Sequence, residues 1–268
     1  MSRLEFIHLS DVHYQSEYSD FAKLLIARTG IDFTKHFRRN MAYIAERYQS
    51  LDFFLNTGDL VHAGTDEEYA AFARLWDELS GLPFYAVPGN HDKNGVGTQI
   101  LGLTEPPFDY VRMHGDLQII GMDARGGKFE SGRLSREQLD WLRDVLSNGK
   151  DSVLLLHQTP HISGEVEYLV WQMEEPQALY EVVKDANLLG IFCGHTHQNF
   201  YSTLGTIPVY TVNSITHGIV ATEEDMTLSN RTGFNHCVYE NGVLTVEHIE
   251  IPADNPVEIV VLYTDFEE

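Results

Sequence analysis

The stretch Ile191-Phe192-Cys193-Gly194-His195-Thr196-His197 ends an apolar run with a glycine and two histidines one residue apart. Imidazoles so placed can hold a transition-metal ion, and Gly194 lets the backbone turn sharply and come close to it. Alone the pattern is weak, because most histidine pairs bind nothing. Four further stretches share its design. Residues 4–9 run into Ser10-Asp11-Val12-His13, 53–56 into Thr57-Gly58-Asp59, 84–87 into Pro88-Gly89-Asn90-His91-Asp92, and 153–156 into His157. Each apolar run has the length of a buried strand and ends in oxygen or nitrogen donors. On an extended backbone Asp11 and His13 would point the same way and grip one ion. Singly, each motif has a plain structural reading: Asp11 and Asp59 as turn caps, Asn90 to Asp92 as a turn, His157 as a lone core histidine. Five of them in fixed order, each after a strand, point instead to one metal site where ligands bind open α/β sheets, at the carboxyl ends of strands.

The sequence between the motifs supplies the elements that must position them. Residues 34–48 put Phe37, Met41, Ile44 and Tyr48 on one helical face, after a short helix over 20–28. Thr65 to Glu68 reads as a capping box, with Tyr69, Phe72, Leu75, Trp76 and Leu79 behind it and Gly81 as the stop. Ser135 and Gln138 cap another helix, and Pro176 opens one that runs to about Ala186. Strands are predicted over 117–122, 207–212, 234–240 and 243–251, with Asn241-Gly242 as a hairpin turn and an edge strand over 256–263. Segments 93–115 and 159–175 read as loops that leave motif ends and wall a pocket. Their aromatics Phe108, Tyr110, Tyr168 and Trp171 are candidates either to stack on a base or to pack the loops. No repeat, linker or low-complexity tract interrupts residues 1–268, which read as one domain.

A chain of 268 residues with 18 Lys and Arg against 40 Asp and Glu carries a formal charge of -22. Such a field repels phosphate backbones and anionic lipid, which argues against a nucleic-acid polymer or a membrane as partner. Two cysteines make no disulfide framework. With no signal-like segment and no apolar run of membrane-spanning length, a cytoplasmic location follows by elimination.

The ordered set Asp11-x-His13, Gly58-Asp59, Gly89-Asn90-His91-Asp92, His157 and Gly194-His195-x-His197 resembles the calcineurin-like metallophosphoesterase superfamily over residues 4–197. The resemblance implies an α/β (α+β) fold, a four-layer αββα sandwich of two mixed β-sheets flanked by helices, with a dinuclear metal site at one edge. By position, Asp11, His13 and His197 would hold one ion, Asn90, His157 and His195 the other, and Asp59 would bridge them. So imidazole-rich a set suits two divalent or trivalent ions of Mn, Fe or Zn better than Mg. In that family two ions about 3.5–4 Å apart polarise the phosphoryl oxygens and supply a bridging hydroxide that attacks phosphorus. His91 would protonate the leaving group or stabilise charge, with Asp92 as its orienting partner or as a turn cap.

Two departures refine the placement. Purple acid phosphatases carry a tyrosine ligand three residues beyond the bridging Asp, where this chain has His62. Many relatives have two histidines at the fourth motif; here His157 is followed by Gln158, with His161 a weaker substitute. The stretches Gly132-Arg133-Leu134-Ser135 and Gln138 to Leu142, with Gln198 and Gly205 to Val209, resemble bacterial class III cyclic-nucleotide phosphodiesterases. The expected substrate is a small phosphodiester, a 3′,5′-cyclic nucleotide foremost. Phosphomonoesterase and glycerophosphodiesterase activity are the alternatives, and a non-catalytic protein-binding scaffold is the rival from another class. Oligomeric state is open, a homodimer included.

Overall fold

The computed structural model describes residues 3–15, 20–62, 64–128, 130–160, 172–221 and 225–262. The first apolar run forms β1 (Arg3–Leu9), and the next two form β2 (Phe53–Asn56) and β3 (Phe84–Ala86). With β12 (Thr232–Glu240) and β13 (Val243–Ile251) they make a five-stranded sheet in the order β13-β12-β1-β2-β3. β1, β2 and β3 run parallel, and β12 returns antiparallel along β1. The second sheet holds β4 (Tyr110–His114), β5 (Leu117–Gly121), β6 (Ser152–Leu155), β7 (Leu188–Cys193), β8 (Phe200–Leu204) and β9 (Ile207–Thr211). Its order is β4-β5-β6-β7-β9-β8, parallel in the middle and antiparallel at both edges.

Strand alternation sorts the side chains into layers. Leu4 and Phe6 of β1, with Phe53 and Leu55 of β2, face Ile119, Val153, Leu155 and Phe192 of the other sheet. Phe6 stacks on Phe53 with centroids 4.5 Å apart and meets Phe192 edge-on across the gap at 6.3 Å. The opposite face of β1 and β2, with Ile7, Leu9 and Phe54, is covered by α2 (Phe33–Arg47) and α3 (Asp66–Leu79) through Phe37, Met41, Ile44 and Phe72. The outer face of the second sheet is covered by α4 (Arg136–Leu146) and α5 (Pro176–Val183) through Leu142, Leu146, Leu179 and Val183. The result is the expected αββα sandwich. The short helix α1 (Asp20–Thr29) also forms.

Three local expectations change. Residues 93–115 are not bare loop: they hold a π-helical turn, Val96–Ile100, and β4, which pairs with β5 around Gly115. The helix opened by Pro176 ends at Val183 rather than near Ala186. The strand predicted over 256–263 exists as β14 (Glu258–Leu262), but it belongs to a third sheet ordered β10-β11-β14, with β10 (Gly218–Ala221) and β11 (Asp225–Ser229). Neither β10, β11 nor β8 is anticipated, being short and interrupted by Ser, Thr and Gly. Of the loop predicted over 159–175, residues 161–171 lie outside the described residues, and with them His161, Tyr168 and Trp171.

Ser135 accepts the Gln138 amide at 3.2 Å while Gln138 Oε1 accepts the Ser135 amide at 2.9 Å, completing the capping box of α4. Ser135→Ala is expected to cost about 1 kcal/mol, read as a lower urea midpoint with an unchanged slope.

Candidate metal centre

All five motifs emerge at the same edge of the sandwich, because β1, β2, β3, β6 and β7 point their carboxyl ends the same way. The first two motifs run side by side beyond the strands. Asp11 N donates to the Gly58 carbonyl at 3.0 Å and His13 N to the Asp59 carbonyl at 2.9 Å. Gly194 N donates to the His157 carbonyl at 3.0 Å, locking the fourth and fifth motifs together. His195 N then donates to Asp11 Oδ2 at 2.9 Å, joining the two sheets at the site. Glycine is required at two of these turns. At Gly58, with φ +107°, a Cβ would run into His157 and lie 2.8 Å from Gly89 N. At Gly194 it would run into Ser10 and lie 2.5 Å from Asp11 Oδ2.

Asp11 and His13 do not converge by strand alternation. β1 ends at Leu9, and both residues adopt left-handed backbone, φ 54° and 47°. Asp59, His195 and His197 do the same, at 52°, 70° and 55°. Non-glycine residues in this region are strained by about 1–3 kcal/mol each and concentrate at functional sites. The turns aim the side chains inward together.

Two buried donor groups result: Asp11, His13 and His197, and Asp59, His157 and His195, each with its donor atoms within 4.8 Å of one another. Asp59 Oδ2 lies between them, 3.4 Å from His157 Nε2 and 3.6 Å from His13 Nε2. Asn90 Oδ1 is 2.9 Å from His157 Nε2. Backbone carbonyls set the tautomers. His157 Nδ1 donates to Thr57 O at 2.6 Å and His197 Nδ1 to His217 O at 3.0 Å, so in its neutral form each ring turns the Nε2 lone pair into the site. His197 Nε2 faces His13 Nε2 at 3.2 Å and Asp11 Oδ1 at 3.4 Å, and that oxygen has no hydrogen-bond partner among the described residues. Lone pairs that face one another in a buried site call for a cation between them, and the donors fit metal ions.

The electrostatics agree. Burial opposes ionisation of Asp59, yet the facing His157 and His13 hold its carboxyl well below the usual range. Burial would lower His157, but the Asp59 carboxylate prevails and holds it up at about 9, so without a metal a proton on Nε2 supplies the positive charge the site draws in. Burial pushes His195 down to about 3 and His62 to about 4.

His91 stands at the mouth. Its amide donates to Asp59 Oδ1 at 2.9 Å, and its ring stacks on His62 at 4.9 Å and meets His13 edge-on at 4.8 Å. Asp92 does not orient that ring. Its buried carboxylate accepts from Gly89 N (2.9 Å), Leu60 N (3.2 Å), Val61 N (3.4 Å) and the Tyr69 hydroxyl (3.0 Å), pinning the third motif to the second and to α3. It is the turn anchor of the two readings. Phe108 and Tyr110 are buried, 1% and 4% exposed, and are packing residues with no face for a base. Gln158, in place of a second histidine, is buried and donates to the Glu130 carbonyl at 3.0 Å.

The loop after β9 is missed by the sequence reading. Ser214 and Thr216 donate to the Asp11 carbonyl at 2.7 and 3.2 Å, and the His217 carbonyl holds His197. Its one sequence signal is a polar Asn213-Ser214-Ile215-Thr216-His217 run directly after an apolar strand, the design of the other motifs.

An αββα sandwich carrying this donor set at its strand ends is the architecture of the metallophosphoesterases. The family model described as Calcineurin-like phosphoesterase matches residues 4–199, and the chain belongs to that family. It is accordingly a hydrolase of phosphate esters. The chain is 27% identical over 204 residues to a 3′,5′-cyclic adenosine monophosphate phosphodiesterase of Vibrio vulnificus, covering 73% of this chain and 70% of that one. It is 23% identical over 220 residues to a glycerophosphodiester phosphodiesterase of Enterobacter lignolyticus, covering 75% of each. Among solved structures, a dimetal phosphatase from Danio rerio superposes with a TM-score of 0.60 at 13% identity, covering 84% of this chain and 95% of that one, which shows the shared fold.

In metal-free protein, burial holds His13 and His217 well below 6.5, as it does His62 and His195. Below about pH 6.5 the unfolded chain binds protons at these residues and the folded chain does not, so acidification removes stability. Asp92 and Asp109, each raised to about 6 by burial, offset part of that loss. His157 acts in the opposite sense: its folded value of about 9 exceeds 6.5, so its contribution is complete below the unfolded value and lost as pH rises toward 9. Chelator-treated protein is expected to be most stable near about pH 6.5. Urea midpoints at about pH 5, 6.5 and 8.5 check this, and a midpoint that climbs steadily to the highest pH contradicts it.

Proposed function

We propose that this chain hydrolyses a small phosphodiester, with a 3′,5′-cyclic nucleotide the leading candidate, acting as one domain over residues 1–268. Asp11, His13 and His197 would hold one metal ion and Asn90, His157 and His195 the other, with Asp59 shared. Mn, Fe or Zn suits these imidazoles. Bound there, two such cations polarise a phosphoryl oxygen and lower the pKa of water. The observation that carries the diester is the cleft itself. It offers about 190 Å³ beside the donors, and its lining among the described residues includes no Lys or Arg but does include Glu130. A dianionic monoester or a polyanionic strand finds no cationic side chain there to offset its extra charge, whereas a monoanionic diester needs none.

The chain's own groups then divide the work. The backbone at His91 is fixed by Asp59, and its loop is held from below by Arg125 Nη1, which donates to the Asp92 carbonyl at 2.7 Å. No described residue hydrogen-bonds either ring nitrogen of His91, so the ring is free to pass a proton to the leaving oxygen at the cleft mouth. Convergence of all seven donors with His91 supports an enzyme over a protein-binding scaffold. The likeness to the Enterobacter enzyme keeps a glycerophosphodiester as the second reading. Cys193 and Cys237 are free and buried, which supports a reducing, cytoplasmic compartment.

Two substitutions test the assignment. Asp59→Ala is expected to cut the metal content of reconstituted protein from two ions per chain to one or none, by elemental analysis. Two ions retained with full activity would falsify its shared role. His91→Ala is expected to keep both ions and lose rate by about 10²–10⁴-fold, with a smaller loss on nitrophenyl esters, whose leaving group needs no proton. Loss of metal would make His91 a ligand instead.

A further inference from the structure

The third sheet has no place in the chemistry described so far, yet three of its side chains line the cleft. Its register pairs Ile219 with Leu228 and Ala221 with Met226, so Ile219, Met226 and Leu228 share one face. β14 adds Ile259 opposite Leu228 and Val261 opposite Met226 on the same side. That face packs on Ile31 and Phe33 at the start of α2, while Val220 and Val260 on the other face are exposed. Phe33, Ile219, Met226 and Leu228 line the same cleft as His13, Asp59, Asn90, His195 and His197.

The wall is also tied to the ligand motif. His197 donates to the His217 carbonyl at 3.0 Å, and Gln198 Nε2 donates to the Ile219 carbonyl at 3.1 Å. Phe33 stacks on the His217 ring at 4.1 Å and 15°. The apolar surface is therefore held at a set position relative to the donors. A phosphoryl group lodged on the donors shares the cleft with these side chains, and one of its ester groups can lie against them. Hydroxyls placed there give up water and find no donor or acceptor on the side chains of Phe33, Ile219 and Leu228 in return. A flat ring gains apolar contact, including contact with the Met226 sulfur.

We propose that Phe33, Ile219 and Met226 form the subsite for the substrate's organic group, and that it selects a flat, weakly polar ring such as a nucleobase or aryl group over a polyol. This rests on the phosphodiesterase reading above. The test holds the phosphate constant and changes what it carries. Calorimetric titration of the manganese-loaded protein with adenosine 5′-monophosphate and with glycerol 3-phosphate is expected to show the nucleotide binding at least about tenfold tighter. Met226→Gln, nearly equal in shape, is expected to narrow that gap to under about threefold, and to lower the ratio of kcat/KM for cyclic AMP to that for glycerophosphocholine by about tenfold. Ile219→Ser serves in the same way if Met226→Gln fails to fold. Equal binding of the two phosphates by the unaltered protein overturns the subsite. So does a gap that both variants leave unchanged with melting temperatures within about 2 °C. Hydrolysis of neither diester overturns the phosphodiesterase reading, while the two binding constants still decide the wall.

Discussion

Electron-pair donors that face one another inside a protein repel, and the candidate centre is built from little else. Carboxylates, an amide oxygen and imidazole nitrogens meet within a few ångströms, and no Lys or Arg among the described residues lines the cleft beside them. The surrounding structure resists that repulsion at every motif. Carbonyls of Thr57 and His217 take the far proton of two histidines, so the near nitrogen has no option but to face inward. Left-handed backbone at five donor residues is a second cost of the same geometry, and it persists only because neighbouring turns over-determine it.

Those turns are joined to one another more than to their own strands. Asp92 gathers the second motif, the third and α3 around one buried carboxylate. Arg125, itself paired with Asp123 at 2.7 Å, holds the third motif to the end of the second sheet. Ser214 and Thr216 hold the first. The two sheets meet in a core of Phe6, Phe53 and Phe192, so the edge where they present their loops is rigid on both sides. A site assembled from both sheets inherits that rigidity.

Much of this is legible in sequence. Each ligand motif is a short local pattern, an apolar run ending in donors, and needs no knowledge of the fold. The helices declare themselves by the spacing of Phe37, Met41 and Ile44, or by the Ser135 and Gln138 box. What hides has physical reasons. β10 and β11 are four and five residues long, too short for alternation to stand out. The loop 213–217 acts largely through carbonyls and hydroxyls, which mark no residue type as functional. The role of Asp92 depends on which amides its oxygens meet, and Asp after His says nothing of that. The left-handed turns at Asp11 and His13 are invisible because neither residue is glycine. The alternation rule therefore unites the right pair for the wrong reason.

The pairing of β1 with β12 has a consequence for how the molecule comes into being. Phe6 lies opposite Cys237, nearly the whole chain apart. A nascent polypeptide that has left the ribosome only as far as β9 holds the first ligand motif on a strand with one open edge. It also lacks Thr216 to fasten Asp11 and the His217 carbonyl to turn His197. Every donor has by then been translated, but the centre has not been built. Closure of the donor set thus waits for the loop after β9 and for β12, and the exposed flank of β1 is the surface on which premature self-association would begin.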